Sequence, residues 1–237
     1  MRVLATIHAR KGSVRYKDKN LKEVDGLPMF LNPIVRALES HLVTDVAFST
    51  DCPKMKSMAK SYSPRVICID RPAELADESE GLIVRRDVLP HTIRMWRRMS
   101  GHTDPIVAMI LQSVILSNTV IDRCAEVLLK HQRGTVESVK RVHHPHPEFM
   151  FRVNEEGDLT PYVSGKYIDD SQITQWQEPL WGMALGVHGR MDPPLDGPKR
   201  PVKLQWWEVV EVDETEDHYV ANAMVKFVED HKKAVKA

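Results

Sequence analysis

The richest chemistry in this 237-residue chain lies between Ala9 and Asn20. Arg10, Lys11, Arg15, Lys17 and Lys19 supply cations there, Gly12 permits close backbone approach, and Ser13 adds a hydroxyl donor. The loop follows a short apolar run, Arg2 to His8. Loops at the carboxyl ends of buried strands are where α/β folds hold phosphates, through amides and cations aimed at anionic oxygens. A triphosphate that loses pyrophosphate needs such charge. The spacing is neither GxxxxGK[ST] nor GxGxxG, so taken alone the loop reads equally well as a solvated basic surface.

Other candidates carry less. Pro145 and Pro147 break the helical i, i+4 spacing that His143, His144, His146 and Glu148 would need to hold a metal on one helix, and no second ligand cluster accompanies them. Trp176, Trp181, Trp206 and Trp207 could stack on bases, but in a proline-rich stretch such rings more often pack in a core or interface. No Gly-x-Ser-x-Gly or Cys/His pairing announces a covalent nucleophile. Near the C-terminus, Asp213 and Glu216 have the spacing of a capping box that opens a helix.

The elements that must position the basic loop follow from periodicity. Strands are expected at residues 2–8, 44–49, 65–69, 106–111 and 136–142, each a short apolar or β-branched run. Helices are expected from Pro28 to about residue 40, at 53–61, at 78–99 with a break near Pro90, and at 120–131. Asp25-Gly26 is a turn signal. Alternating strand and helix predict an α/β fold with a doubly wound, mostly parallel sheet. From His143 to about Pro201 the pattern breaks down, as for an insertion across a dimer interface, a lid, or poorly patterned hairpins. A strand at 205–212 and a helix from about 214 to 236 close the chain, the helix with Val220, Ala223, Met224, Phe227 and Val228 on its apolar face.

Composition sets outer bounds. Lysine plus arginine total 33, as do aspartate plus glutamate, so the formal net charge is zero and bulk charge gives no reason to expect a nucleic-acid binder. Cys52, Cys68 and Cys124 are widely spaced and odd in number, which reads as reduced thiols in a cytoplasmic protein. No window approaches the ~20 apolar residues of a membrane span, and the start lacks a signal-peptide pattern.

The stretch IHARKGSVRYKDKNLKEVDGLPMF at 7–30 resembles the N-terminal signature of the acylneuraminate (CMP-sialic acid synthetase) cytidylyltransferases, with Ala9, Arg10, Ser13, Lys19, Asn20, Gly26 and Pro28 at the matching positions. STD at 49–51, RPAELADE at 71–78, Leu111-Gln112, and VEVDETED at 210–217 match further family motifs in the same order. The resemblance implies a nucleotide-diphospho-sugar transferase type of fold, one domain over 1–237, with 143–201 as an insertion that makes a homodimer. It also implies a nucleotidyltransferase that moves CMP from CTP to an acidic sugar, a nonulosonate or ketodeoxy acid, with release of pyrophosphate.

The same resemblance assigns roles. Arg10 and Lys19 would hold phosphates and, with Gln112, form the catalytic set. Ala9, Gly12, Ser13, Arg15, Asn20 and Arg71 would complete the nucleotide site, the last two near the base. Gln112 and Gln175 would face the acceptor. Glu211 and Asp213, alternating on a strand, would share a Mg²⁺ ion through hard oxygens, which competes with the capping role of Asp213. The chain departs from the family at Val14, where a lysine is usual, across SVILSN at 113–118, at Thr174 beside Gln175, and across GMALGV at 182–187. The nucleotide side is thus kept and the acceptor side rewritten. Three readings remain open: an altered acidic acceptor, another nucleotide or a non-sugar acceptor, and a nucleotide-binding paralogue without turnover.

Overall fold

The computed structural model describes residues 1–12, 16–76, 83–117, 119–141, 151–153, 155, 157, 159–161 and 181–236. The chain opens with β1 (Arg2–His8), buried from Val3 to Ile7. The basic loop ends in a 3-10 turn at Lys19–Leu21 and a hairpin of β2 (Glu23–Val24) and β3 (Leu27–Pro28). Asp25 and Gly26 both take positive φ, 58° and 69°, the geometry that closes two-residue hairpins and that glycine adopts without strain. Then come α1 (Leu31–Glu39), β4 (Asp45–Thr50), α2 (Pro53–Tyr62) and β5 (Val66–Asp70). One turn of π-helix, Val84–Val88, runs into α3 (Leu89–Ser100), which Gly101 stops in a left-handed conformation. The rest comprises β6 (Ile106–Leu111), β7 (Val114–Ile115), α4 (Thr119–His131), β8 (Thr135–Arg141), the pair β9 (Phe151–Val153) and β10 (Leu159–Pro161), β11 (Trp181–Asp192), β12 (Lys199–Leu204), β13 (Val209–Val210) and α5 (Thr215–Lys236).

Seven strands form the main sheet in the order β12-β8-β11-β6-β1-β4-β5. Four neighbouring pairs are parallel; β11 runs antiparallel to both β6 and β8. Odd-numbered residues of β1 face α1, α2 and α4, where Ile7 packs in one cluster with Ile34, Met55 and Leu128. Leu4 faces the other side, with Leu89, Ile93 and Trp96 of α3. Helices on both faces explain why the inner strands are continuous apolar runs. A third cluster joins Val24 and Met29 of the hairpin region to Val114, Val210 and Val212, and to Ala221, Met224 and Val228 of α5. It seats the segment after β13 against the edge of the basic loop.

The doubly wound, mostly parallel sheet expected from the sequence is present, and β1, β4, β5, β6 and β8 lie within a residue or so of their expected bounds. Other expectations are corrected. Pro28 belongs to β3, paired with Glu23, so α1 begins only at Leu31, after the hairpin has closed. Within the expected 78–99 helix, the described part is a π turn followed by α3, and the change between them at Val88–Leu89 falls beside Pro90, where a break was expected. The irregular segment expected at 143–201 contains β11 and the start of β12, both strands of the main sheet; residues 162–180 lie outside the described set. Instead of a strand over 205–212, only Val209 and Val210 pair, antiparallel to β7. The Glu208 carboxylate accepts from the Gln205 backbone N–H at 2.8 Å and from Arg123 at 2.5 Å, which folds residues 205–208 into a turn. The buried face of α5 is Ala221, Met224 and Val228, about one residue out of phase with expectation, and Val220 and Phe227 are exposed.

Candidate active site

The order of strands turns at β1: the chain steps from β1 to β4 and β5 on one side and to β6 on the other. In open α/β sheets the crevice beyond the carboxyl ends at such a point is where ligands sit. Here it is a cleft of about 190 Å³. His8 and Ala9 line it from the end of β1, Lys19 and Asn20 from the loop, Phe30 and Pro33 from the start of α1, Gln112 and Ser113 from beyond β6, and Glu211 and Asp213 from beyond β13.

The loop is braced from both sides. The Ala9 N–H donates to the Ser49 carbonyl, and the Lys11 N–H donates to the Asp51 carboxylate at 2.7 Å, so the STD segment at the end of β4 holds the start of the loop. The Asn20 side-chain amide donates to the Arg10 carbonyl at 3.1 Å and draws the far end back onto the start. Arg10, Lys11, Gly12 and Asn20 also line a smaller cleft beside Cys52 and Met55. The Tyr16 hydroxyl meets His218 Nδ1 at 3.3 Å, and His218 Nε2 meets the Glu23 carbonyl at 2.7 Å, pinning the loop to α5.

Across the cleft, the Lys19 ammonium donates to the Asp213 carboxylate at 2.9 Å. The cap that opens α5 is made by Asp217, whose carboxylate accepts from the Asp213 and Glu214 backbone N–H groups at 2.9 Å each. Of the two roles weighed for Asp213, capping with Glu216 is not the one it takes: its carboxylate points to Lys19. The strand carrying Glu211 and Asp213 is also shorter than expected, ending at Val210. Alternation persists beyond it, with Val212 buried between the two acids that line the cleft. Lys140 of β8 donates to the Val209 carbonyl; burial pushes its ammonium below the usual lysine range, and Glu211 and Glu208 oppose that shift. Glu211 and Asp213 offer the one or two hard carboxylates that a divalent cation takes from a protein, and Lys19, already on Asp213, would have to give way to it. Among the described residues no group of three or more His, Cys, Asp or Glu could hold a metal alone.

Gln112 is set by an irregularity in β11. Its N–H donates to the Gly186 carbonyl at 2.8 Å, in a bulge between Met183 and His188. A side chain at Gly186 would come within 2.7 Å of Val209 Cγ2, so the bulge needs glycine.

Arg71 lies deeper than the sequence alone conveys. It is 7% exposed, and its guanidinium donates to the Ser49 carbonyl at 3.0 Å. Burial pushes its pKa down to about 10, against the pull of Asp51 and with help from Arg10, which leaves it a cation at neutral pH. His8, which sequence reasoning passed over, stands opposite Ser49 in the β1–β4 register. Both of its ring nitrogens are sealed from solvent and lack a partner among the described residues. Burial first, then the Arg71 charge, push its pKa down to about 3, so it is a neutral imidazole. The available signal was a polar ring ending an otherwise apolar strand.

The structure thus gathers Ala9, Lys19, Asn20, Gln112, Glu211 and Asp213 around one cleft, with Arg10 and Gly12 beside it and Arg71 behind it. Ser13, Arg15 and Gln175 lie outside the described residues, as do Thr174, Trp176 and the histidine cluster at 143–146. Phe30 and Ser113, the latter with φ of 63°, are cleft residues that no motif signalled.

Comparison with known proteins matches the model of the family described as "Cytidylyltransferase" to residues 4–154. A CMP-N,N'-diacetyllegionaminic acid synthase of Campylobacter jejuni is 38% identical over 88 residues, which is 37% of this chain and 37% of that protein. A post-translational flagellin modification protein B of Campylobacter coli is 25% identical over 166 residues, 70% of this chain and 68% of that one. The solved structure of CMP:2-keto-3-deoxy-manno-octonic acid synthetase complexed with CTP superposes with a TM-score of 0.62 over 97% of this chain and all of that one, at 14% identity, a likeness of fold.

Proposed function

This chain belongs to the cytidylyltransferase family, and from that premise we propose that it transfers CMP from CTP to an acidic sugar of the nonulosonate or ketodeoxy class. The observation that carries the reading is the 2.9 Å contact of Lys19 with Asp213, which joins a cationic loop to an acidic pair across one cleft. The name of the legionaminic acid relative supports the acceptor class.

In the reaction a hydroxyl oxygen of the acceptor attacks the α-phosphorus of CTP. The new O–P bond forms as the bond to the bridging oxygen breaks, pyrophosphate leaves with that electron pair, and the hydroxyl proton passes to water. Arg10 and Lys19, with the loop amides near Gly12, neutralise the phosphate tail and hold it in line. Asn20 fixes the loop that does so. Arg71 presents a buried, permanently charged donor to the base side, and Gln112, held by Gly186, faces the acceptor. Glu211 and Asp213 would hold Mg²⁺, which when bound neutralises phosphate charge and favours ionisation of the attacking hydroxyl. We place the working protein in the cytoplasm as a homodimer formed through the segment after His143; among the described residues no helix is long and apolar enough to cross a membrane.

Pyrophosphate release measured across CTP, UTP, GTP and ATP, with a pool of nonulosonic and ketodeoxy acids, tests the reading. CTP-dependent release that requires an acid acceptor and Mg²⁺ is expected. Tight CTP binding without turnover on any acid, unchanged by Asp213→Asn, overturns it.

A further inference from the structure

We infer that His8 is the residue that recognises the 4-amino group of the cytosine ring, and so sets the preference for CTP over UTP. The inference rests on the proposed use of a pyrimidine nucleoside triphosphate and adds a residue to it.

His8 ends β1 at the cleft. By strand alternation its side chain shares the face of Leu4, toward α3, whereas Ile7 and Ala9 enter the opposite cluster. In the parallel register it stands directly opposite Ser49. Arg71 clasps that same serine, through its carbonyl at 3.0 Å and its hydroxyl at 3.5 Å. An imidazole and a guanidinium therefore flank one residue at the carboxyl end of β4. Their hydrogen-bonding capacities differ: Arg71 can only donate, while a neutral imidazole offers one donor and one acceptor. Among the described residues neither ring nitrogen of His8 meets a partner, and both are shut off from solvent. Buried polar atoms are nearly always paired, so two unpaired nitrogens on one ring at a ligand cleft point to a partner that arrives with the ligand.

The chemistry selects that partner. The Watson–Crick edge of cytosine presents an amino donor beside acceptors, whereas uracil presents a carbonyl oxygen in place of the amine. A guanidinium alone accepts either base, because both carry acceptors. A neutral imidazole nitrogen aimed at the amine favours cytosine and faces the uracil oxygen with a lone pair. Burial beside a cation keeps His8 in that neutral form.

Titration calorimetry with CTP and UTP in the presence of Mg²⁺ needs no acceptor and reads the effect directly. The unaltered protein should bind CTP about tenfold or more tightly than UTP. His8→Phe, a ring of similar size without nitrogen, should weaken CTP binding and bring the two nucleotides within about threefold of each other. His8→Gln, which restores an amide acceptor, should recover part of the preference. In the unaltered protein labelled with ¹⁵N-histidine, the His8 ring nitrogens should shift on adding CTP and much less on adding UTP. A folded His8→Phe protein that keeps full discrimination, or ring nitrogens unmoved by bound CTP, overturns the inference and leaves the wider reading standing. Absence of binding to either nucleotide by the unaltered protein overturns both.

Discussion

The Lys19 and Asp213 side chains are 26% and 28% exposed, so their ion pair is screened and contributes ~1 kcal/mol or less to folding. Its worth is in charge placement. Asp213→Asn keeps the shape and the contact but removes a negative charge that, on the proposed reading, would hold a cation against phosphate. Pyrophosphate release should fall by about two orders of magnitude, the usual cost of losing one charge-stabilising group. The midpoint of thermal unfolding should stay within about 3 °C of the parent. A variant with near-normal turnover would remove Asp213 from the site. A midpoint lowered far beyond that range would show that the pair is structural. The capping spacing of Asp213 and Glu216 could not be separated from this role in one dimension. Asp217, one position later, captures both backbone N–H groups and releases Asp213 to face Lys19.

Between elements, β11 constrains the cleft from across the sheet. A Cβ at Gly186 would lie 2.7 Å from Val209 Cγ2, so glycine lets the bulge pass there, and the Gly186 carbonyl holds Gln112. Gly186→Val should cost about 1–3 kcal/mol through overpacking, seen in a denaturant titration. In the folded fraction it should raise the acceptor KM more than the CTP KM, because it displaces the Gln112 side of the cleft. Equal effects on both constants would mean that the bulge does not discriminate between the two halves of the site. The Glu137 carboxylate is a second such constraint. It is 4% exposed and joins β8 to the π turn through Arg85 at 2.6 Å, and to β11 through His188 at 2.8 Å. Burial alone would raise its pKa, but the His188 hydrogen bond and the charges of His188, Arg85 and Lys199 outweigh it and hold it below the ordinary 4.5. A carboxylate depressed in this way stabilises the fold fully above its unfolded pKa and loses that contribution as pH falls from about 4.5 through the lower folded value. Glu137→Gln should destabilise the parent by about 2–3 kcal/mol at pH 7 and flatten the acid limb of its stability curve. An unchanged acid limb would assign that limb to other groups.

These two constraints also show why parts of the fold were hard to read. β1 and β6 were legible because each is a buried run between helical layers, so the apolar pattern has no gaps. β11 was not, because Gly182, Gly186 and Gly189 interrupt it and His188 and Arg190 place polar groups in it. The buried polar character of His188 is explained only by Glu137, 51 residues earlier. The phase of α5 was missed for a related reason: Phe227 and Val220, apolar enough to claim the core, lie outside it. Phe227 meets the exposed Trp206 ring at 5.3 Å instead, and Ala221 takes the buried position.

Over the whole molecule, equal numbers of acidic and basic residues leave no net charge, so phosphate binding must come from local arrangement. The motifs that carry it were readable because they recur in order along the chain. Their convergence was not, since it depends on a sheet whose order turns at β1 and on a third apolar cluster that brings the segment after β13 back to the loop. That convergence has a thermodynamic signature. On the proposed reading, Lys19, which already holds Asp213, would compete with Mg²⁺ alone, whereas a triphosphate would draw Lys19 to its own oxygens and leave both carboxylates to the cation. Mg²⁺ alone should therefore shift the unfolding midpoint little. CTP with Mg²⁺ at a hundred times its dissociation constant should stabilise the fold by about 2.7 kcal/mol, a rise of roughly 5–10 °C for a domain of this size. In Lys19→Met the order should change: Mg²⁺ alone stabilises measurably, and the added effect of CTP shrinks. Equal stabilisation by Mg²⁺ alone in the parent and in Lys19→Met would show that Lys19 and the cation do not compete for Asp213.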